Sequence, residues 1–84
     1  MSSISASVRE VIGTHGHLMT DVAQLADTDD LYEHGMTSHA TVSVMLALED
    51  EFDIEFPDAD LRRASFQTVS AICRVLESLG VERD

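Results

Sequence analysis

Gly35-Met36-Thr37-Ser38-His39-Ala40-Thr41-Val42 is the stretch whose reading decides the fold. It runs directly into Ser43-Val44-Met45-Leu46-Ala47-Leu48-Glu49-Asp50-Glu51-Phe52, a helical run that ends in acids. A glycine takes positive φ without a Cβ clash and lets the chain turn sharply. Three residues later a serine stands where the run begins. Val42, Met45, Leu46, Glu49 and Phe52 recur at helical steps, and Leu48 widens the stripe, so the spacing predicts a helix over 38–52. Two roles fit Ser38 at its N-terminal end. Its hydroxyl can cap the helix by accepting a backbone N–H. It can equally hold a phosphate ester, because the unpaired N–H groups and the positive end of the helix dipole favour an anion.

Upstream, Ile4, Val8, Val11 and Ile12 fall on one face of a first helix over 2–17. Ser2, Ser3 and Ser5 are candidate caps for its start, and Gly13 and Gly16 weaken its end near His15 and His17. From Leu18 to the glycine the pattern dissolves into a long loop. Leu18, Val22, Leu25 and Leu31 should pin that loop to the core, and Asp29-Asp30-Leu31-Tyr32-Glu33 forms one helical turn. Downstream, Pro57 suits the first turn of a short third helix over 57–64, with Leu61 as its inward anchor. Val69, Ile72, Cys73, Leu76 and Leu79 mark a last helix over 66–80, capped by Ser65 or Thr68. Gly80 closes it and the final residues fray. The expectation is all-α: a four-helix bundle with a long first loop, forming a single domain over 1–84.

Composition narrows the function. At 84 residues the chain builds one core and has little room for an enclosed active site with its own supporting shell. Sixteen acids face five arginines and no lysine, a formal net charge of −11. That field repels nucleic acid and anionic membranes, and it draws basic protein surfaces. Cys73 is the single cysteine and has no internal disulfide partner. The N-terminal run is broken by serines, unlike a signal peptide, and no stretch approaches the roughly 20 apolar residues of a membrane span. A cytoplasmic monomer is expected.

Asp30-Leu31-Tyr32-Glu33-His34-Gly35-Met36-Thr37-Ser38-His39, followed by Leu48-Glu49-Asp50-Glu51-Phe52, Phe56-Pro57-Asp58 and Phe66-Gln67-Thr68-Val69, resembles the acyl carrier protein family. The order and spacing of these short motifs, over roughly residues 4–80, carry the resemblance. It implies that Ser38 is esterified to 4'-phosphopantetheine by a phosphopantetheinyl transferase that uses coenzyme A. The arm's thiol then holds an acyl or aminoacyl group as a thioester. The family fold is a four-helix bundle with a short third helix. Partner enzymes, an activating ligase or a synthase with basic docking surfaces, meet helix II. Carried onto this chain, the partner face is Val42, Met45, Glu49 and Asp50, joined by Thr37 and His39 beside the serine. Thr37 stands where the family usually has aspartate and His39 where it has leucine, while Ala40 and Ser43 replace acids that fatty-acid carriers often place there. These departures point to a specialised carrier for polyketide, peptide or single amino acid loading rather than bulk fatty acid synthesis.

Other chemistries fit less well. Ser38 and His39 are adjacent on one helix and diverge by about 100°, so they do not form a nucleophile–base pair, and no GxSxG elbow is present. His15, His17, His34 and His39 lack zinc-ligand spacing. Asp27-Thr28-Asp29-Asp30 lacks the glycine and distal glutamate of a calcium loop at the required offsets. Neither a catalytic role nor a metal is expected. Residues 49–60 hold seven acids, which are either a solvated face or a docking face. A small acidic helical interaction module without a prosthetic group is the alternative. It accounts for the charge and leaves the Gly35-to-Ser38 junction unexplained.

Overall fold

The computed structural model describes residues 3–81. Three α-helices pack around one core: α1, Ser3–His15; α2, Ser38–Phe52; and α3, Val69–Ser78. Short 3-10 turns at Val22–Gln24, Leu31–His34, Asp58–Asp60 and Arg63–Phe66 interrupt the connections. Among the described residues there is no strand, and no helix is long and apolar enough to cross a membrane. Ser2 as a cap, and fraying over 82–84, lie outside the described residues.

The core follows from apolar residues at helical spacing. Ile4, Val8, Val11 and Ile12 of α1 meet Ala40, Val44 and Leu48 of α2 and Val69, Ile72 and Leu76 of α3. Thr68 caps α3 by accepting the Ala71 N–H at 3.0 Å. The helix therefore starts at Val69 rather than at 66, and it ends at Ser78, before Gly80. At the end of α1 the helix stops at His15, short of 17. His17 there takes the left-handed conformation that a glycine usually supplies. Gly16 is needed for a different reason: a Cβ on it would lie 2.7 Å from the Ile12 carbonyl oxygen.

The short third helix expected over 57–64 is not an α-helix: two 3-10 turns, Asp58–Asp60 and Arg63–Phe66, take its place. Residues 57–64 hold the Asp58–Asp60 turn, and the chain then extends at Arg62 (φ −144°, ψ 160°) before the Arg63–Phe66 turn. Leu61, read as an inward anchor, is exposed. A segment whose one large apolar side chain is Leu61 has little face to bury, and without burial the cost of nucleating a helix is not offset. The inward anchors here are Phe56 and Phe66, whose rings pack edge to face at 5.3 Å.

The stripe on α2 also differs from its reading. Val42 and Leu46 are exposed, while Ala40, Val44 and Leu48 face the core. Three apolar lines run along this helix, and the one with the smallest side chains at its start was taken inward.

The long loop is pinned by polar contacts as well as by buried Leu25 and Leu31. Arg9 pairs with Asp27 and donates to the Val22 carbonyl at 2.8 Å. The Ser70 N–H donates to the Asp27 carbonyl at 3.0 Å, and the Leu31 N–H to the Gln67 carbonyl at 2.8 Å. These bonds tie the loop to the start of α3 and so fix the approach to α2.

Candidate functional site

The junction before α2 is built in four steps. Asp30 caps the Leu31–His34 turn by accepting the Tyr32 N–H at 2.9 Å. Gly35, at φ +107°, ends that turn and reverses the chain. Met36 then drops into the core, 2% exposed, and anchors the junction from below. Thr37 is the N-cap of α2, its Oγ1 accepting the Ala40 N–H at 3.0 Å.

Ser38 is therefore the first helical residue rather than the cap. Its side chain is exposed, and no hydrogen bond within the described residues engages its hydroxyl. The Thr37 carbonyl accepts the Thr41 N–H at 2.9 Å, and the N–H groups of Ser38 and His39 have no partner among the described residues. Exposed N–H groups at a helix start are an anion site in waiting. His39 is exposed, and no hydrogen bond joins it to Ser38.

A groove of about 370 Å³ opens beside the serine, lined by Ser38, Val42, Met45, Leu61, Phe66 and their neighbours. One wall is a small relay. The Arg63 guanidinium lies 3.9 Å from the centre of the Tyr32 ring, and the Tyr32 hydroxyl is 3.2 Å from Thr41 Oγ1. Arg62 and Arg63 both line this groove, and no carboxylate does. A second groove, about 620 Å³, runs between α1 and α2. Three carboxylates, Glu10, Asp50 and Glu51, line it together with His15, and Val11 and Leu46 are among its apolar residues.

The partner face read from the sequence is split by this arrangement. Val42 and Met45 line the Ser38 groove, whereas Asp50 lines the groove on the other flank of α2. The Glu49 carboxylate is engaged within the chain: its Oε2 accepts the Phe56 N–H at 2.9 Å and holds the connector after α2. Thr37 and His39 stand exposed on either side of Ser38. Tyr32, Leu61, Arg62, Arg63 and Phe66 were not read as site residues. The available signal was Arg62-Arg63, the single adjacent pair of bases in a chain of sixteen acids.

Elsewhere, His34 Nδ1 lies 3.3 Å from Thr20 Oγ1. Among the described residues, no three His, Cys, Asp or Glu side chains converge where a metal ion could be held. Cys73 is half-buried against the core.

Comparison with known proteins bears on this geometry. Residues 3–76 match the family described as phosphopantetheine attachment site. An aminoacyl carrier protein of Agrobacterium fabrum is 46% identical over 69 residues, 82% of this chain and 83% of that protein. Among solved structures, one is an engineered Bradyrhizobium japonicum glycine:[carrier protein] ligase complexed with carrier protein from Agrobacterium tumefaciens and ATP. A chain of it superposes with a TM-score of 0.87 at 43% identity, covering 89% of this chain and 97% of that one. Another is the Bradyrhizobium japonicum ligase complexed with glycylated carrier protein. A chain of it matches with a TM-score of 0.75 at 26% identity, covering 87% of this chain and 97% of that one.

Proposed function

The chain belongs to the phosphopantetheine-attachment family of carrier proteins, and from that premise we propose that Ser38 takes the arm and that the cargo is a single amino acid. The observation that carries the first part is the division of labour at the start of α2. Thr37 caps the helix, so the Ser38 hydroxyl is exposed and spare. A phosphate ester fits there, beside the open N–H groups of Ser38 and His39 and at the positive end of the helix. The groove next to the serine has the apolar walls a flexible arm needs. When bound, 4'-phosphopantetheine supplies a terminal thiol that carries the cargo as a thioester.

The residues of the chain act by position. Gly35 and buried Met36 hold the junction rigid. Thr37, Ser38 and His39 are thereby presented to the phosphopantetheinyl transferase. Val42, half exposed, offers an apolar contact one turn past the serine, with Met45 beside it. Asp50, with Glu10 and Glu51, supplies negative charge on the other flank. That charge suits basic docking surfaces on the enzymes that load and unload the carrier. Glu49 serves the fold through Phe56 and contributes its charge without leaving that bond.

The second part, the cargo, is supported by relatives. One is named an aminoacyl carrier protein, and two superposable chains come from complexes with a glycine-activating ligase. The partner of this chain is accordingly an ATP-dependent ligase for a small amino acid. The working form is a cytoplasmic monomer, one carrier domain over 1–84, that catalyses no reaction itself. An acidic module without a prosthetic group would explain the charge and leave the family match over 3–76 without a reason.

The test is a loading panel. The arm-bearing chain is incubated with ATP, amino-acid:[carrier protein] ligases and single amino acids, and intact mass is read before and after thioester cleavage by hydroxylamine. An added, hydroxylamine-labile amino acid is expected, and its yield falls as salt is raised because screening shortens the docking field. Loading by a fatty-acid transferase, with no amino acid accepted, would contradict the assignment.

A further inference from the structure

The charges around the serine are distributed against the composition of the chain. Acids outnumber arginines sixteen to five, yet the groove that Ser38 opens onto is lined by two arginines and no acid. The groove on the other flank of α2 carries three acids and no arginine. A basic partner would be repelled by Arg62 and Arg63, so docking does not explain them. Something anionic belongs in that groove.

We propose that Arg62 and Arg63 clamp the phosphodiester of the arm esterified to Ser38 and lay the arm along the wall formed by Val42, Met45, Leu61 and Phe66. This rests on the reading of Ser38 as the attachment residue.

The geometry supports each part. Arg63 is held in place rather than left to wander: its guanidinium stacks on Tyr32 at 3.9 Å, and Tyr32 meets Thr41, one turn after Ser38 on the same face of α2. Stacking leaves the edge of a guanidinium open for paired hydrogen bonds to phosphate oxygens. Asp30 is the carboxylate that feels Arg63, and its oxygens are already taken by the Gln67 amide at 2.8 Å and the Tyr32 N–H at 2.9 Å. Arg62 is extended (φ −144°, ψ 160°) and exposed on the same rim, with no hydrogen bond or ion pair from its side chain among those described. Leu61 is 45% exposed beside it, an apolar side chain with nothing over it until an arm lies there. The missing α-helix at 57–64 gains a purpose from this, because an extended Arg62 turns both cations toward one groove.

The experiment compares backbone amide NMR shifts of the bare and arm-bearing chains. It starts from chain whose intact mass shows one arm added and none in Ser38→Ala, so attachment is settled separately from the clamp. The arm is expected to shift the amides of Val42, Met45, Leu61 and Phe66 as well as those next to Ser38. In Arg62→Gln with Arg63→Gln the shifts at Leu61 and Phe66 fall at least about twofold, as a charge-assisted contact is lost. Arg62→Lys with Arg63→Lys retains part of them, and Arg74→Gln, an exposed arginine on α3, changes nothing. Raising salt from about 0.01 to 1 M, which shortens the screening length from about 30 to 3 Å, mimics the double glutamine variant. Shifts confined to the neighbours of Ser38 in the unaltered chain would overturn the clamp. So would an unchanged footprint in the double glutamine variant.

Discussion

Thr37 Oγ1 accepts the N–H of Ala40 at 3.0 Å, and that one bond frees Ser38 from capping duty. Where the acyl carrier family usually has aspartate, threonine performs the same capping chemistry without the charge. Thr37→Ala is expected to cost about 1 kcal/mol of stability by removing the cap. Thr37→Asp should match or exceed the parent, because a carboxylate also suits the positive end of α2. Urea unfolding followed by circular dichroism measures both. If Thr37→Ala leaves the midpoint unmoved, Ser38 has taken over the cap and is not spare.

Gly35 is required by its backbone and by its neighbour. At φ +107° an L side chain is strained, and a Cβ would lie 2.8 Å from Met19 Cγ and 3.1 Å from the Met19 backbone nitrogen. The Met19 side chain is exposed and can swing away, but its backbone is fixed by the bond from its N–H to the His34 carbonyl. Gly35→Ala should therefore destabilise by about 1–2 kcal/mol, the left-handed penalty. The same variant should slow modification of Ser38, since the junction that presents it is displaced. Thermal melting checks the first effect and timed intact mass the second.

Asp30 and Gln67 give the fold an acid-sensitive tie. The Gln67 amide is the main cause holding the Asp30 carboxyl below its ordinary 3.8, against the opposing effect of partial burial. The Tyr32 and Glu33 N–H groups and the Arg63 charge add to the lowering. A carboxyl with a lower pKa folded than unfolded favours the folded state when ionised. Its contribution is complete above about 3.8, declines as pH falls through that value, and is gone below the folded pKa. Asp30→Asn should thus be less stable than the parent at neutral pH, with the gap narrowing in the acid range. Urea midpoints taken stepwise from pH 7 to the acid limit give the comparison. A gap that stays constant across that range would remove Asp30 from the pH response.

What the sequence could and could not reveal follows the same physics. Helix α2 was legible in both type and extent because a glycine and a serine precede a run of apolar residues at helical steps. Its facing was not, because Val42, Val44, Met45, Leu46, Ala47 and Leu48 put apolar groups on nearly every side. Which line turns inward is decided by tertiary packing, which buries Ala40, Val44 and Leu48. The segment 57–64 misled through Pro57 and its acids, which are good helix starters with nothing to bury behind them. The groove could not be read at all. It joins Tyr32 from the first loop, Val42 and Met45 from α2, and Arg62, Arg63 and Phe66 from the second connection, and only the fold brings these together. Ser38 was singled out through family resemblance, while the reason its hydroxyl is spare lies in a hydrogen bond made by Thr37.

The most direct measurement is the intact mass of the purified chain after incubation with coenzyme A and a broad-specificity phosphopantetheinyl transferase. One added phosphopantetheine is expected, lost in Ser38→Ala and kept in Ser43→Ala. A chain that gains no mass, or one in which Ser38→Ala is still modified, would contradict the assignment of Ser38 as the tether.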